Sequence, residues 1–392
     1  MRKQRTIWLL LLAAAFLLCV PGCGGTKDTE AGEEAADDDQ GQALQWSDLK
    51  LDQSMELDYA EQFSVDYDQD GYALLTITDT GRFLVVPDGG EIPLGLPEDL
   101  VVLQQPLDHI YLVATSAMDL FRELSAVDAI RLSGTDVSGW YIEEARQALE
   151  HGDMVYAGKY NAPDYELILA EGCDLAVEST MIYHSPEVKE QLEEFGIPVL
   201  VERSSYESHP LGRVEWLKLY GVLLGKEELA QESFRKLEDS LAEVFSKENT
   251  NRTVAFFHIN SNGVVNVRKS GDYVAKMIEL AGGKYIFQDL GDDNALSTMN
   301  MEMESFYAQA KDADYIIYNS AIDGELETIE ELLNKSGLLA DFKAVKEGNV
   351  WCTQKNVFQE STGIGDLILD IHKIVNQEDQ DVLELRYLNK LQ

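Results

Sequence analysis

Aromatic and cationic residues follow the strands that the sequence predicts, where side chains can reach a ligand. The candidate ligand-binding residues are Trp140, Tyr141, Tyr160, Tyr183, His184, Arg203, Tyr206, His258, Asn260, Arg268, Tyr318 and Trp351. Flat aromatic faces interleaved with arginine suit a large, planar or anionic ligand such as a metal chelate, a corrinoid or a porphyrin. We therefore expect a binding site rather than a reaction centre.

The sequence lacks the spacings of common catalytic and metal-binding motifs. The six histidines show no H-E-x-x-H or H-x-x-x-H pattern, and there is no C-x-x-C and no G-x-S-x-G. No residue constellation argues for an enzyme, and we expect no catalytic residues, no resident cofactor and no bound metal. An enzyme on this scaffold would need a titratable cluster, for example around His184, Glu178 and Arg203. A receptor for bare zinc or manganese would bring several histidines and carboxylates together at one site. The six histidines are scattered along the sequence and do not suggest such a site.

One acidic segment has part of a calcium-binding pattern. Asp66, Asp68 and Asp70 precede Gly71, as in the first half of an EF-hand loop. The twelfth position, where a bidentate Glu belongs, is Ile77, and a strand-like sequence follows instead of a helix. Calcium binding and an acidic β-turn both remain open, and the turn is favoured.

The net charge of the chain excludes one class of functions. The 392 residues include 71 acidic and 31 basic side chains, which give a formal net charge of −40. Such a surface repels the phosphate backbone, so nucleic-acid binding is excluded. It also disfavours electrostatic docking on anionic lipid. An anionic ligand would need a local concentration of arginine and lysine.

Alternating strands and helices must position these residues. A hairpin is predicted over residues 72–87, and the alternation that follows predicts a mostly parallel, doubly wound α/β lobe. Its strands are predicted at residues 109–114, 129–132, 154–157, 175–177 and 198–201, with helices at 118–124, 142–149, 163–170 and 186–195.

Two helices and a second α/β set follow. Helices are predicted at residues 213–224 and 226–247, the second with an apolar stripe at helical spacing. We expect an N-terminal lobe at 46–212, connecting helices at 213–248 and a C-terminal lobe at 249–392. In the second lobe, strands are predicted at 252–257, 315–318 and 349–352, and helices at 273–281, 304–310, 325–333 and 365–376.

The N-terminus is typical of an export signal. Three basic residues precede an uncharged apolar run over residues 7–20, which is too short to span a membrane. The end of this run resembles a bacterial lipobox with Cys23 as the lipidated residue, although plain signal cleavage is an alternative. We predict a signal peptide at 1–22 and a lipidated acidic tether at 23–45.

The order of these features resembles the ABC-transporter substrate-binding lipoproteins of the iron-siderophore and cobalamin class. Residues 161–177 resemble the family's helix leading to its "PDLV" strand, residues 194–199 its approach to the next strand, and residues 221–228 the "G-LLGKEE" before its backbone helix. The chain departs at residues 114–120, where Asp119 replaces the glutamate of the family's "SPSATEIL".

The resemblance implies two α/β lobes joined by a long α-helix, with the ligand cleft between the lobes. It also implies an extracytoplasmic, lipid-anchored component of an importer, whose partners are an ABC permease with its ATPase and a ferric-siderophore-like chelate. Haem or a corrinoid such as cobalamin is the alternative ligand. By this resemblance, Glu166 and Glu304 (or Glu302) would contact permease arginines. We expect a monomer that meets the membrane through its lipid anchor alone.

Overall fold

The structure is a computed structural model that describes residues 43–291, 298–320, 324–376 and 384–392. The predicted signal peptide, Cys23 and residues 23–42 of the predicted tether lie outside the described residues. Among the helices of the described part, none combines the length and the apolar character needed to cross a membrane.

A five-stranded sheet precedes the first lobe. Its strands, in the spatial order β1-β2-β3-β4-β5, are β1 (Gln53–Ser54), β2 (Phe63–Tyr67), β3 (Ala73–Ile77), β4 (Gly81–Val86) and β5 (Leu100–Gln104). Strands β3 and β4 confirm the predicted hairpin, which turns through Asp79 at a positive φ of 57°. Strand β5 pairs with β4 in parallel. The hairpin is therefore the centre of a larger sheet.

The first lobe is built on a fully parallel sheet, as predicted. Its strands β6, β7, β8, β11 and β12 occur in the order β12-β11-β6-β7-β8, and most residues of the four longer strands, β6, β7, β11 and β12, are buried and apolar, as is typical of a parallel sheet. The elements are β6 (Ile110–Leu112), α1 (Met118–Glu123), β7 (Ile130–Ser133), α2 (Glu143–His151), β8 (Val155–Tyr156), β9 (Gly158–Lys159), β10 (Ala162–Pro163), α3 (Tyr165–Ala170), β11 (Leu175–Ser179), α4 (Pro186–Glu194) and β12 (Val199–Glu202). Strands β9 and β10 form a separate small hairpin.

Two helices connect the lobes, α5 (Pro210–Leu224) and α6 (Glu227–Ser246). Helix α5 begins three residues before its predicted start, because Pro210 suits the first helical turn and His209 accepts the backbone N–H of Leu211. It is buried along nearly its whole length and contributes side chains to the cores of both lobes. Helix α6 is amphipathic and packs on α5 and on the last helix of the chain.

The second lobe carries a mixed sheet in the order β16-β14-β13-β17-β18-β19, with β15 also paired to β13. Its elements are β13 (Thr253–Ile259), β14 (Val265–Arg268), α7 (Tyr273–Leu280), β15 (Lys284–Tyr285), β16 (Thr298–Met301), α8 (Met303–Ala310), β17 (Tyr315–Tyr318), α9 (Ile329–Lys335), α10 (Lys343–Glu347), β18 (Val350–Thr353), α11 (Ile364–Val375) and β19 (Leu388–Lys390). The predicted strands β13, β17 and β18 are parallel neighbours. The unpredicted strands β14, β16 and β19 pair antiparallel at the sheet's two ends.

Two buried carboxylates attach the segment before β2 to the connecting helix. Glu215 of α5 accepts the backbone N–H groups of residues 58–60 at 2.8–2.9 Å and the Lys218 ammonium at 2.7 Å. Glu207 accepts the N–H groups of residues 61 and 62 at 2.8 and 3.0 Å, and the Trp216 indole at 2.9 Å. Because buried N–H groups must be paired, these contacts fix the segment beside α5.

We expect Gly221→Ala to lower the free energy of unfolding by about 1–3 kcal/mol. Helices α5 and α6 approach so closely at Gly221 that an added Cβ would lie 2.7 Å from the Cβ of Ala230. Chemical denaturation measures the change. Gly337→Ala is the control, since an added Cβ meets no atom within 4 Å there. Equal stability of both variants would contradict the tight helix contact.

Candidate functional site

A cavity of about 680 Å³ lies between the lobes. The first lobe supplies residues of the turn after β11 and of the segment after β12, and residues 61 and 62 close one side. The second lobe supplies residues 269–273 together with Gly291 and Thr298. In the first lobe, the wall thus comes from the carboxyl ends of parallel strands, where doubly wound sheets bind their ligands.

Arg203 is the best-positioned cation of the first-lobe wall. Its Nε and Nη2 donate to Gln62 Oε1 at 3.2 and 3.1 Å, and its Cζ lies 4.4 Å from the centre of the Tyr206 ring. Asp79, which is largely exposed, lies 3.7 Å from Nη2. The guanidinium is therefore held by a neutral amide and an aromatic face, and a solvated carboxylate screens only part of its charge.

The turn Thr180–His184 after β11 forms the rim above Arg203. Thr180, Met181 and His184 line the cavity, and the Met181 and His184 side chains are exposed. Tyr183 is also exposed, and burial of part of its ring raises its pKa, while the charge of Arg203 opposes the shift. The rim thus offers a thioether, an imidazole and a phenol around one cation.

The second-lobe wall is the segment that joins β14 to α7. Lys269 and Tyr273 line the cavity, and the Tyr273 ring lies 4.1 Å from the Arg213 guanidinium. Asp272 caps α7 by accepting the N–H of Val274 at 2.9 Å. Burial raises the Asp272 pKa, and Arg268, at 3.5 Å, opposes the shift. This wall therefore presents the cation Lys269 and the Tyr273 ring to the cavity, and the guanidinium groups of Arg213 and Arg268 lie beside that ring.

Of the twelve predicted ligand-binding residues, three line this cavity: His184, Arg203 and Tyr206. Trp140, His258, Tyr318 and Trp351 are buried in the lobes. The Trp140 indole N–H, for example, donates to Ser133 Oγ and to the Thr135 carbonyl at 3.1 Å each. These four residues therefore belong to the core. Aromatic side chains near the end of a strand can fill the space between sheet and helices as well as face a ligand.

The other five predicted residues do not line the cavity, and two of them, Tyr183 and Arg268, lie beside it. Tyr183 lies near enough to Arg203 for that charge to act on its pKa, and Arg268 pairs with Asp272 beside the wall. Tyr141, Tyr160 and Asn260 lie elsewhere on strand-end loops. Lys269 does line the cavity, but sequence reasoning missed it because it follows β14, a strand that was not predicted.

Outside the cavity the two lobes form direct hydrogen bonds, and these contacts limit how far the cavity extends between the lobes. Gln359 accepts the Tyr141 N–H at 2.8 Å and donates to the Gly139 carbonyl at 2.8 Å. Ser361 Oγ donates to the Ser116 carbonyl at 2.6 Å. The loop after β7 is therefore occupied by protein contacts, and the cavity opens beside β11 and β12.

Asp119, the residue that departs from the family motif, belongs to this contact. The backbone N–H and Oγ1 of Thr362 in the second lobe donate to its Oδ2 at 2.8 and 2.6 Å, and Arg122 lies 2.6 Å from its Oδ1. Burial raises the Asp119 pKa, and the hydrogen bonds from Thr362 oppose the shift. Asp119 therefore joins the lobes and does not face the cavity.

The acidic segment at residues 66–71 forms hydrogen bonds within the protein. Asp68 accepts the N–H groups of Asp70 at 2.9 Å and Lys50 at 2.7 Å, and Asp66 accepts the Ser54 hydroxyl at 2.5 Å. These contacts are those of an acidic turn between β2 and β3. Calcium binding at this segment stays a prediction without structural support.

One group of possible metal ligands lies at the amino-terminal ends of β6 and β11. Ligand atoms of Asp108, His109 and Asp174 come within 4.8 Å of one another. Asp174 Oδ2 accepts the N–H groups of Asp108 and His109 at 2.9 and 3.0 Å, and His109 Nδ1 lies 2.7 Å from Asp108 Oδ1. Hydrogen bonds that fix two loops account for this grouping.

Glu166 and Glu304 are exposed carboxylates on separate lobes. Glu166 lies in the first turn of α3, whose N-cap Asp164 accepts the Leu167 N–H at 3.1 Å. Glu304 lies in the first turn of α8, and Glu302 occupies the N-cap position there. Each is free of the core, as a docking residue must be, and each is also favoured by the helix dipole.

Two α/β lobes, a helical connection and a cavity between the lobes define a two-lobed ligand-binding protein. The family described as periplasmic binding protein matches residues 113–357, which is more than half of the chain. The chain belongs to this family. The resemblance drawn from the sequence and the predicted α/β fold class are thereby confirmed.

Related sequences include two uncharacterized lipoproteins of Methanocaldococcus jannaschii. One is 26% identical over 310 residues, covering 75% of this chain and 70% of the relative. The other is 24% identical over 334 residues and covers 82% of each chain. The family is periplasmic, and these relatives are named lipoproteins, which agrees with a location outside the cytoplasm.

Solved structures share the fold at low identity. A periplasmic heme-binding protein from Pseudomonas aeruginosa has a TM-score of 0.55 and 16% identity, covering 73% of this chain and 98% of that one. A petrobactin-binding protein from Bacillus subtilis has a TM-score of 0.55 and 12% identity, covering 69% and 93%. An ABC-type Fe3+-hydroxamate transport system from Saccharomonospora viridis has a TM-score of 0.53 and 18% identity, covering 69% and 93%.

We expect Gln359→Ala to loosen the contact between the lobes. The change removes two hydrogen bonds to the Gly139–Tyr141 loop, which should cost about 1 kcal/mol of stability and increase the radius of gyration in small-angle X-ray scattering. Gln309→Ala is the control, because its amide bonds only within the second lobe. An unchanged radius of gyration would show that Gln359 does not hold the lobes together.

Proposed function

We propose that this protein is the extracytoplasmic substrate-binding component of an ABC importer that captures a ferric-siderophore-like metal chelate. The observation that carries the proposal is the cavity between the lobes, with Arg203 and Lys269 on opposite walls and Tyr206 and Tyr273 beside them. Two cations across a gap suit an anionic ligand, and the aromatic rings suit its flat, apolar parts. The petrobactin and Fe3+-hydroxamate proteins that share the fold support this ligand class.

The charge distribution of the chain supports an anionic ligand. With a net charge of −40, most of the surface repels anions, so cations held inside a cleft create a local attraction that the ligand meets only there. Arg203 keeps its position before the ligand arrives, because Gln62 and Tyr206 already contact it. A positioned cation needs little rearrangement on binding.

Haem or a corrinoid is the second candidate ligand, and one observation favours it. His184 and Met181 lie in the same exposed turn at the cavity, and imidazole and thioether are both axial ligands of haem iron. The heme-binding protein from Pseudomonas aeruginosa shares the fold. A strong visible absorbance change on titration would identify this alternative.

We propose a binding role without catalysis. The enzyme alternative needed a titratable cluster, for example one joining Glu178 to His184 and Arg203, but Glu178 is fully buried and is not among the residues that line the cavity. We also propose that Cys23 carries the lipid anchor, that the mature protein acts as a monomer at the outer face of the cell membrane, and that a permease with its ATPase receives the ligand.

We expect Arg203→Gln and Lys269→Gln each to weaken ligand binding at least about tenfold. A hydrogen bond to a charged group contributes about 1.5–3 kcal/mol, and 1.4 kcal/mol corresponds to a factor of ten. The purified protein is titrated with ferric hydroxamate and catecholate siderophores, haem, cobalamin and cobinamide while tryptophan fluorescence is recorded. Trp216 can report binding, because its indole N–H donates to Glu207 of the cavity wall.

The control for both variants is Lys236→Gln, an exposed lysine of α6 that pairs with Glu232 away from the cavity. Saturable binding of one compound, weakened by the cavity variants and not by the control, would support the proposed class and site. If neither cavity variant changes the affinity, the ligand must bind at another site. A folded protein that binds none of the compounds would contradict the proposed ligand class.

We expect Glu166→Arg and Glu304→Arg to impair uptake while leaving ligand affinity unchanged. If these carboxylates meet permease arginines, each reversal replaces an attraction with a repulsion. Uptake of the bound ligand in cells is compared with its affinity for the purified variants. Glu228→Arg, on the exposed first turn of α6, is the matched charge reversal. Normal uptake by the double variant would contradict docking through these residues.

A further inference from the structure

Glu178 is a buried carboxyl group with no hydrogen-bond partner in the described part of the chain. It lies in β11 with no exposed surface, and neither Oε1 nor Oε2 is paired. Most buried polar groups are paired, so an orphaned carboxyl calls for an explanation. Two residues further along the chain, the turn Thr180–His184 begins to line the cavity.

The surroundings of Glu178 favour its neutral form. Strand β12 places Val201 opposite it, and the phenols Tyr111 of β6 and Tyr165 of α3 lie near enough for the charge of an ionised Glu178 to raise their pKa values. The Tyr111 hydroxyl donates to the Gly158 carbonyl instead. Among the described residues, no cation from β12, α4 or the turn offsets its burial, which raises the Glu178 pKa to about 8. Near pH 7 the group is therefore mostly protonated.

We propose that Glu178 is a positioning residue for the cavity wall, whose neutral form lets the turn Thr180–His184 seat over the sheet and whose ionised form displaces that turn. The proposal uses the cavity that the proposed function assigns to the ligand. Its consequence is that capture of a ligand against the seated turn is linked to retention of a proton by Glu178. Rising pH would then weaken binding without any titration of the ligand.

The turn packs on the side of β11 that carries Glu178, because Ile182 belongs to the same apolar cluster as Ala176 and Val201, and Ala176 and Glu178 lie on one face of the strand. It is a single 3-10 helix of five residues in which only Ile182 is buried, and its cap is a long 3.4 Å contact from the Met181 N–H to Ser179 Oγ. The other neighbours are paired strands and α3. Local opening of a short exposed segment costs far less than burying an unpaired charge.

Linkage sets the expected pH dependence. In the seated state the Glu178 pKa is about 8, whereas in the open state it returns towards 4.5, the ordinary value of a glutamate. Between these values the open state binds fewer protons, so opening becomes about tenfold more favourable for each pH unit and levels off above pH 8. The seated wall is thus most stable at low pH and loses stability as the pH rises.

Hydrogen–deuterium exchange of the full protein, corrected for intrinsic rates, tests this. We expect protection of the Thr180–His184 peptide to fall about tenfold per unit between pH 5.5 and 7.5 and then to level off. In the Glu178→Gln and Glu178→Leu variants, the protection of this peptide should no longer change with pH, which gives a flat pH profile. Glu187→Gln, an exposed carboxylate of α4, should keep the native profile.

A flat profile in the native protein would overturn the proposal, even if neither Glu178 variant folds. The proposal would also be overturned if a peptide from β6 showed the same protection as the turn and the same change of protection with pH. Ionisation of Glu178 would then be linked to unfolding of the whole protein and not to opening of the turn. No ligand enters these measurements. Failure of every ligand titration would therefore leave this test intact, and a flat profile would leave the proposed ligand class intact.

Discussion

The pairing of backbone N–H groups by carboxylates at helix α5 is the interaction on which the arrangement of the lobes depends. Glu215 receives three consecutive N–H groups of residues 58–60 and a lysine ammonium while being fully buried. Removing this acceptor would take one partner from three backbone N–H groups and from the buried Lys218 ammonium. Because α5 also contributes to the apolar cores of both lobes, it fixes the first sheet, the segment before β2 and the second lobe in one frame.

The direct contact between the lobes explains the position of the cavity. Gln359 and Thr362 of the second lobe bond to the Gly139–Tyr141 loop and to Asp119, so protein atoms occupy one part of the cleft. The remaining part opens beside β11 and β12. A cleft held at one side and connected by packed helices favours a small hinge motion over wide closure.

The site combines a strongly acidic chain with cations that the fold brings together. Arg203 follows a parallel strand of the first lobe, whereas Lys269 follows an antiparallel strand of the second. Beneath the same wall, Glu178 is a carboxyl group that burial keeps neutral. The charge of this cleft therefore depends on which ionisable groups are buried as well as on how many of them the cleft contains.

The central parallel strands and the helices between them could be predicted from the sequence because apolar periodicity reflects burial directly, and local motifs indicated the family. Arg203 and Tyr206 were among the predicted ligand-binding residues and lie at the cavity, while their role in binding stays a prediction. Three features came only from the three-dimensional packing: Trp140 and Trp351 belong to the core, Lys269 reaches the cavity, and Glu178 has no hydrogen-bond partner among the described residues. Short edge strands carry little periodic signal, and strand-end aromatics look alike in sequence whether they face a cleft or a core, since only packing against distant elements distinguishes them.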